Sequence, residues 1–323
     1  MKQMMYRDAI SAALAEEMRR DEHVFVMGED VAIVGGVYKA TRGLLQEFGP
    51  KRVRNTPLSE IAIAGAATGA AMAGARPVAE IMHIDFIGCC MDIVLNQMAK
   101  MYYKTNGQVS VPMVLRTQGG RGRSNGCTQS QSLEALLTHI PGLKVVMPAT
   151  AYDAKGLLKS AIRDDNPVIF IEHKGLYQKK GEVPEEEYTI PLGVADVKRA
   201  GTDVTILAYS KTVLLALEAA EMLDKQGIHA EVVDLRTLVP LDFDTISASV
   251  RKTGRVVITH EASLRNGYGA EIAARIQEEL FDYLDAPICR VCGAAIPIPN
   301  AVEPEIQSAP TVEKIVDTVQ NIC

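Results

Sequence analysis

The stretch SEIAIAGAATGAAMAGARPVAEIMHIDFIG, residues 59–88, changes its hydrophobic pattern twice within a short distance. Residues 59–75 are mostly alanine and glycine, with a small residue at every fourth position, which predicts a closely packed helix. Residues 77–82 form a short apolar run bounded by proline, which predicts a strand, and a second helix is predicted over residues 86–100. A helix, a strand and a helix in this order are typical of a parallel sheet covered by helices.

The same alternation extends in both directions along the chain. In the first half, strands are predicted at residues 24–27, 111–117, 143–147 and 168–172, and helices at residues 6–20 and 152–163. In the second half, strands are predicted at residues 204–208, 230–234, 255–259 and 288–291, and helices at residues 212–226 and 269–283. Between the halves lies the charged stretch KKGEVPEEEYTIPLG, residues 179–193, which has no periodicity.

This pattern predicts an α/β fold with two doubly wound domains. We place the first domain at residues 1–180, a linker at residues 181–200 and the second domain at residues 201–323. Such folds host many different chemistries, so the fold by itself indicates only a two-domain α/β protein. Individual sites must carry the functional argument.

Composition excludes several classes of protein. The 323 residues are 47% hydrophobic and 23% charged, the mixture of an ordinary globular protein. The net charge is −6 and no basic cluster could follow a phosphate backbone, so we expect no nucleic-acid partner. The longest apolar stretch, residues 61–75, is shorter than the roughly 20 residues of a membrane span, and the N-terminus lacks a signal-peptide core. We expect a cytoplasmic protein without membrane contact, whose six cysteines are reduced.

Acidic residues follow predicted strands in the first half. Glu29 comes directly after the strand at residues 24–27, and Glu60 begins a helix that Ser59 could cap. Ligands of open α/β sheets bind at the carboxyl ends of strands. Each acid could also have an ordinary role, Glu29 as a solvated loop residue and Glu60 as a first-turn acid favoured by the helix dipole. In the functional interpretation, Glu60 is a desolvated carboxylate suited to proton exchange with a ring nitrogen.

Glycine and arginine are concentrated in QGGRGRSNGC, residues 118–127, just before TQSQS at residues 128–132. This stretch could admit an anion, but it matches neither of the common phosphate-binding glycine motifs, and a flexible lid is equally compatible. Cys289 and Cys292 form a single CxxC without a second pair of metal-ligating residues at a suitable spacing. The pattern favours buried thiols over a metal or redox centre.

Six motifs, in this order along the chain, together resemble one known family. They are GEDV at residues 28–31, TPLSE at 56–60, IDFIG at 84–88, QSQSLEA at 129–135, HIPGLKVVMPA at 139–149 and DAKGLLKSAIRDDNP at 153–167. The family comprises the β-subunits of thiamine-diphosphate-dependent 2-oxo acid dehydrogenases and acetoin dehydrogenases, the first component of those multienzyme complexes. The resemblance runs from the N-terminal helix to the C-terminus.

The resemblance implies an oxidoreductase that is active only with an α-subunit, in an α2β2 heterotetramer. This chain would supply the pyrimidine-binding domain and a C-terminal transketolase-like domain, while the α-subunit would hold the diphosphate and Mg²⁺. The family's metal motif, GDG followed by Asn, is absent here, in agreement with that division. The complex would cleave acetoin or decarboxylate a pyruvate-like 2-oxo acid. The acyl group would pass to a lipoyl acyltransferase, whose subunit-binding domain would dock on the C-terminal domain.

The matched motifs also imply roles for individual residues. Glu60 would hydrogen-bond the aminopyrimidine ring of thiamine diphosphate and so promote the tautomer that removes the thiazolium proton. Phe86 would stack on the pyrimidine, with a core phenylalanine as the ordinary alternative. Leu58 would contact the cofactor, and Glu29 would line a polar channel between paired active sites.

The resemblance further raises the possibility of a structural K⁺. The matching ligands are the carbonyls of Met113, Ala161 and Ile162 and the side chains of Asp164 and Asn166. Such an ion would join the start of one strand to the turn after a helix. An ordinary helix C-terminus before Pro167 is the alternative.

The chain departs from the family pattern at one position. Relatives have QHSQS where this chain has TQSQS, so Gln129 occupies the place of the family's active-site histidine. Glutamine forms hydrogen bonds but does not titrate. Gln129 could suit a neutral substrate such as acetoin, another group such as His83 could supply the proton, or activity could be weak. Two alternatives therefore stay open: the C-terminal subunit of a split transketolase, and a non-catalytic scaffold.

Overall fold

A computed structural model describes residues 1–323, which form two compact units. The first unit comprises residues 1–119 and 136–192. The second comprises residues 120–135 and 193–323, so it takes one short segment from the middle of the first half. None of the helices is both long and apolar enough to cross a membrane.

The first unit contains a parallel sheet with helices between its strands. Its strands are β1 Lys2–Met5, β2 Val24–Gly28, β3 Val53–Asn55, β4 Arg76–Ile81, β5 Val114–Gly119, β6 Lys144–Val146, β7 Val168–His173 and β8 Lys180–Val183. The helices up to residue 163 are α1 Tyr6–Arg20, α2 Leu44–Phe48, α3 Glu60–Met72, α4 Met101–Lys104, α5 Glu134–Thr138 and α6 Ala151–Arg163. A 3₁₀ segment, Ile84–Cys90, and a π-helical segment, Ile93–Met98, lie between β4 and α4.

Six of these strands are parallel neighbours in the order β6, β7, β5, β4, β2, β3. Their residues are mostly buried, as expected for strands covered on both faces. The strands β1 and β8 form a separate antiparallel pair. Because these six strands all point the same way, the loops that follow them collect at one edge, which we call the first carboxyl edge.

The second unit repeats this architecture on a smaller scale. Its strands are β9 Asp196–Arg199, β10 Val204–Ala208, β11 Ala230–Asp234, β12 Thr237–Val239, β13 Val256–Ser263 and β14 Cys289–Gly293. Its helices are α7 Thr212–Asp224, α8 Phe243–Thr253, α9 Gly269–Leu280, α10 Val302–Gln307 and α11 Val312–Gln320, with a 3₁₀ turn at Phe281–Tyr283. The sheet order is β14, β13, β10, β11, β9, in which only the edge strand β9 is antiparallel.

The predicted fold class, two doubly wound α/β domains, is confirmed. Two local predictions differ from the structure. The strand predicted from residue 111 begins at Val114, since Pro112 cannot donate to a sheet ladder. The single helix predicted over residues 86–100 is instead the succession of 3₁₀, π and short α segments.

The two compact units divide the chain differently from the predicted domains, whose boundaries stay a prediction. Residues 120–135 belong to the second unit, although they lie within the range 1–180 assigned to the first. The predicted linker, residues 181–200, contains most of β8 and all of β9. Both differences have one cause: backbone pairing and side-chain contacts distant in sequence decide these segments, and periodicity does not record them.

Candidate active site

Five of the six predicted catalytic and cofactor-binding residues lie at the first carboxyl edge. Glu29 follows β2, Leu58 and Glu60 follow β3, and His83 and Phe86 follow β4. Gly28, the last residue of β2, has φ 155°, and a Cβ atom there would lie 2.8 Å from the Glu80 carbonyl oxygen. Glycine therefore lets β2 approach β4 closely and brings the loop that carries Glu29 beside β4.

Two carboxylates of this edge interact electrostatically. Burial raises the pKa of Glu29, and the negative charges of Glu60, Asp30 and Glu80 raise it further. Glu60 is half-buried at the first turn of α3. Ser59 holds the N-cap position, but its side chain makes no capping hydrogen bond. Ser59 therefore does not cap α3 as predicted, and the Glu60 side chain remains partly accessible.

Glu60 also lies near the 3₁₀ segment that carries Phe86. Burial raises the pKa of the Cys90 thiol to about 12, with a further contribution from the charge of Glu60. Cys90 is buried, whereas Phe86, on the same segment, is half-buried. The structure thus brings a partly accessible carboxylate and a partly accessible aromatic ring to one edge. Leu58, just before Glu60, is 78% exposed.

His83 is held in a defined orientation beside Phe86. Gln118 Nε2 lies 2.8 Å from His83 Nδ1 and donates to the Met82 carbonyl at 2.6 Å. Because an amide nitrogen donates, Nδ1 accepts and the ring proton lies on Nε2. The ring packs edge-on against Phe86, with centroids 5.3 Å apart. Burial lowers the pKa of His83, and the charge of Lys174 lowers it further, so the ring is neutral at pH 7.

An ion cluster that sequence reasoning missed lies on three neighbouring strands. Arg116 on β5 donates to Glu172 on β7 at 2.6 and 2.8 Å and to Glu80 on β4 at 2.7 Å. Tyr177 donates to the same Glu172 at 2.6 Å and stacks on Tyr38 with centroids 4.8 Å apart. Arginine inside the apolar run VPMVLRTQ was the available signal, because a buried strand carries a charge only when partners neutralise it.

The potential K⁺ ligands already have cationic or N–H partners. Arg76 donates to the Ile162 carbonyl at 3.0 Å and to the Asp164 carbonyl at 2.8 Å. Lys144 forms an ion pair with the Asp164 carboxylate, to which the Asn166 side chain also donates. The Met113 carbonyl accepts from Val168 N–H at 3.0 Å, and the Ala161 carbonyl from Asp164 N–H at 3.4 Å. Two positive side chains at this turn fit a K⁺ poorly.

Other metal or redox arrangements are also not supported. No three His, Cys, Asp or Glu side chains are grouped so that they could hold a metal ion. Cys289 and Cys292 lie on β14, where three residue steps along the strand separate them by roughly 10 Å. All six cysteines are free.

Gln129 lies in the second unit, in the segment at residues 120–135, and is half-buried. The place of this segment in the second unit was not predicted, because the segment is distant in sequence from the rest of that unit. Glu29, Leu58, Glu60, His83 and Phe86 all belong to the first unit. The predicted residues therefore divide between the two units.

Comparison with known proteins shows which family this chain resembles. The transketolase pyrimidine-binding domain family matches residues 2–180, and the transketolase C-terminal domain family matches residues 193–315. Three curated relatives are similar over nearly the whole chain. The β-subunit of acetoin:2,6-dichlorophenolindophenol oxidoreductase from Bacillus subtilis is 50% identical, covering 96% of this chain and 94% of the relative. The 2-oxoisovalerate dehydrogenase β-subunit of the same species is 49% identical, covering 97% and 94%. The pyruvate dehydrogenase E1 β-subunit of Rickettsia felis is 47% identical, covering 99% and 98%.

This chain belongs to the family of 2-oxo acid and acetoin dehydrogenase β-subunits. The predicted resemblance is thus confirmed, and with it the assignment to an oxidoreductase family that uses thiamine diphosphate. A solved split-gene transketolase, described as an inactive β4 tetramer, has a TM-score of 0.83 at 24% identity, covering 99% of this chain and 98% of that one. That similarity shows a shared fold. The much higher identity to dehydrogenase β-subunits favours the dehydrogenase function over the split-transketolase alternative.

Proposed function

We propose that this dehydrogenase β-subunit works in an α2β2 heterotetramer that cleaves acetoin or decarboxylates a pyruvate-like 2-oxo acid. The acyl group would then pass to a lipoyl acyltransferase, docked through its subunit-binding domain on the second unit. The observation that carries the proposal is Glu60, which lies half-buried at the start of α3, beside the segment of Phe86 and the loop of Glu29.

The first carboxyl edge fits the pyrimidine of thiamine diphosphate. When bound, this cofactor supplies a carbon nucleophile and an electron sink. Glu60 would accept a hydrogen bond from the pyrimidine ring, Phe86 would offer its ring face, and Leu58 would cover the cofactor. The partial accessibility of the Glu60 and Phe86 side chains supports this arrangement.

Glu60 and Glu29 would have different roles in proton transfer. Glu60 would share a proton with the pyrimidine ring nitrogen in a hydrogen bond, which would favour the tautomer that activates the cofactor. Glu29 can hold a proton near neutral pH more readily than an ordinary glutamate, because burial and the charge of Glu60 raise its pKa. It would therefore be suited to exchange protons along the polar channel between paired active sites that the family resemblance implies.

The α-subunit would supply the diphosphate site and Mg²⁺, since this chain groups no residues for a metal ion. Exposed apolar side chains near Glu60 support a protein partner at this face. Leu58 is 78% exposed and Ile61 53%. Contact of exposed apolar side chains with water is unfavourable, and burial in a subunit interface would remove that contact.

Gln129 favours a substrate without a carboxylate. Its amide can orient a carbonyl or hydroxyl group, as in acetoin, but cannot deliver a proton. His83 could donate a hydrogen bond from Nε2, the nitrogen that the Gln118 contact leaves protonated, but its lowered pKa disfavours the imidazolium form that proton delivery would need. The turn at Asp164 would be held by Arg76 and Lys144, without K⁺.

The test is thiamine-diphosphate-dependent reduction of an artificial electron acceptor by this chain, co-purified with the α-subunit of its genomic neighbourhood. Acetoin, pyruvate and a branched 2-oxo acid are compared. Glu60→Gln should lower turnover by about 100-fold or more, the usual contribution of a general acid or base. Glu47→Gln is the matched control, because Glu47 is an exposed glutamate paired with Arg19.

Each outcome separates the alternatives. Turnover with acetoin alone would make Gln129 an adaptation to a neutral substrate, and turnover with pyruvate would assign proton delivery to another group. No turnover with any substrate, despite bound cofactor, would contradict the proposal and favour the scaffold.

A further inference from the structure

The second sheet has a topological switch point between β10 and β13. From β10 the chain runs through α7 to β11 on one side, whereas β13 pairs with β10 on the other side. Loops that leave two such neighbouring strands diverge and open a crevice at their carboxyl ends. In doubly wound folds this crevice is the usual place for a ligand.

Here residues of the chain's own segment 120–135 bind at that crevice. Tyr209, the first residue after β10, donates from its hydroxyl to Glu134 Oε1 at 2.8 Å. Glu261 on β13 accepts the Arg121 backbone N–H at Oε2, at 2.9 Å. In return, Arg121 Nη1 donates to the Glu261 carbonyl at 2.6 Å. The two strands that flank the switch point thus hold the two ends of one segment.

These contacts are buried, so they hold the segment strongly. Arg121, Glu134, Tyr209 and Glu261 are between 1% and 6% exposed. Lys211 pairs with the second carboxylate oxygen of Glu261 at 3.1 Å. A buried carboxylate with partners on both oxygens is costly to leave unpaired.

Two clefts, partly open to solvent and about 320 and 260 Å³ in volume, border Arg121. Gln131 and Ser132 of the segment also line the larger cleft. A further polar contact, from Ser124 N–H to Glu305 Oε2 at 3.0 Å, holds the segment near its beginning. Polar contacts therefore hold the segment where it borders these clefts.

We propose that the switch-point crevice of the second unit is a socket for residues 120–135, and that Glu261 is a positioning residue for Gln129. Glu261 acts through the backbone of Arg121, eight residues before Gln129, and touches no substrate. The functional part of this inference rests on the proposed function, in which Gln129 faces the substrate. The socket itself does not depend on it.

Glu261→Gln tests the socket in the full chain and in its complex with the α-subunit. The amide keeps the size of the side chain but loses the charge that binds Lys211 and Arg121. We expect amide hydrogen exchange in residues 120–135 to become faster by about tenfold or more, the effect of losing one charge-assisted hydrogen bond. Turnover of the preferred substrate should fall by a similar factor, mainly in kcat.

Tyr209→Phe removes the contact at the other end of the segment by deleting only a hydroxyl, and should produce the same two effects. Glu231→Gln is the matched control. Glu231 is a buried glutamate of β11 that pairs with Lys252 and does not contact the segment. This variant should leave exchange in residues 120–135 unchanged.

Unchanged exchange in both Glu261→Gln and Tyr209→Phe would overturn the socket. Faster exchange with unchanged turnover would overturn the positioning role and leave the proposed function intact. Failure of the proposed function itself would appear separately, as absent turnover in the unmodified complex.

Discussion

Replacing Arg116 with methionine would remove the guanidinium that lies between two carboxylates in the first sheet. Arg116 is 1% exposed, and its nitrogens lie 2.6 to 2.8 Å from the oxygens of Glu172 and Glu80. Breaking a buried ion pair by removing one partner costs about 3–5 kcal/mol, because a charge is left buried without compensation. We expect a loss of unfolding free energy in this range at pH 7.

The loss should depend on pH through Glu80. Burial raises the pKa of Glu80, and Arg116 opposes that rise, so without Arg116 the carboxylate must take up a proton on folding. From an ordinary glutamate pKa of about 4.3, this costs about 3.7 kcal/mol at pH 7 and about 1 kcal/mol at pH 5. A pKa raised in the folded state means that stability is lost as the pH rises. Since the pKa of Glu80 is already raised with Arg116 present, about 2.7 kcal/mol is the upper limit by which the contribution of Glu80 to the deficit is larger at pH 7 than at pH 5.

Urea unfolding followed by circular dichroism at the two pH values measures this difference. Arg19→Met is the matched control, since Arg19 forms an exposed pair with Glu47 and should lose less than about 1 kcal/mol. Adding both Glu80→Gln and Glu172→Gln to Arg116→Met should remove most of the pH dependence, because both carboxylates lose their guanidinium partner. Equal deficits at pH 5 and pH 7, or a deficit no larger than that of Arg19→Met, would refute the reasoning.

Three further predictions concern the site and its surroundings. Gln129→His should add a limb near pH 6.5 to the pH profile of turnover, because histidine titrates there. The control Gln108→His, at an exposed position, should not add this limb. A Gln129→His profile without the new limb would argue that Gln129 is remote from the chemistry. Exchanging K⁺ for Na⁺ should leave the Tm of the chain unchanged within about 1 °C, because Arg76 and Lys144 already bind the oxygens at the Asp164 turn. A Tm several degrees higher in K⁺ than in Na⁺ would contradict this. Glu29→Gln should have the same unfolding free energy as the unmodified chain at pH 4 and a slightly higher one at pH 7, by less than about 1 kcal/mol for this half-buried group. The reason is that the raised pKa of Glu29 makes its ionisation in the folded state costly as the pH rises. Equal stability of the two proteins at both pH values would show that Glu29 is fully solvated.

The fold was largely predictable because its signals are local. The strands β10 and β11 occur at the predicted residues, since short apolar runs bounded by turns determine them. The helix α1 likewise spans the predicted residues. The irregular region from residue 84 to residue 104 was not predictable from periodicity, because 3₁₀, π and α turns keep apolar residues on similar faces.

The site was predictable only in part, for a related reason. The placement of Glu29, Glu60 and Phe86 at one edge follows from parallel strands, which sequence pattern can indicate. The partners of Arg116 lie 36 and 56 residues away in sequence, and the contact between Arg121 and Glu261 spans 140 residues. Such pairs arise from tertiary packing and leave no local signature beyond a charge in an unexpected place.

The interleaving of the two units constrains how the gene could be divided. A break near residue 192 would produce an N-terminal fragment that carries residues 120–135 and a C-terminal fragment without them. The C-terminal fragment would expose Tyr209 and Glu261, whose partners Glu134 and Arg121 would then reside on a different polypeptide. Exchange of C-terminal halves between related subunits should therefore succeed only when the donor's crevice accepts the recipient's segment. Recombination between these genes is thereby restricted to compatible pairs.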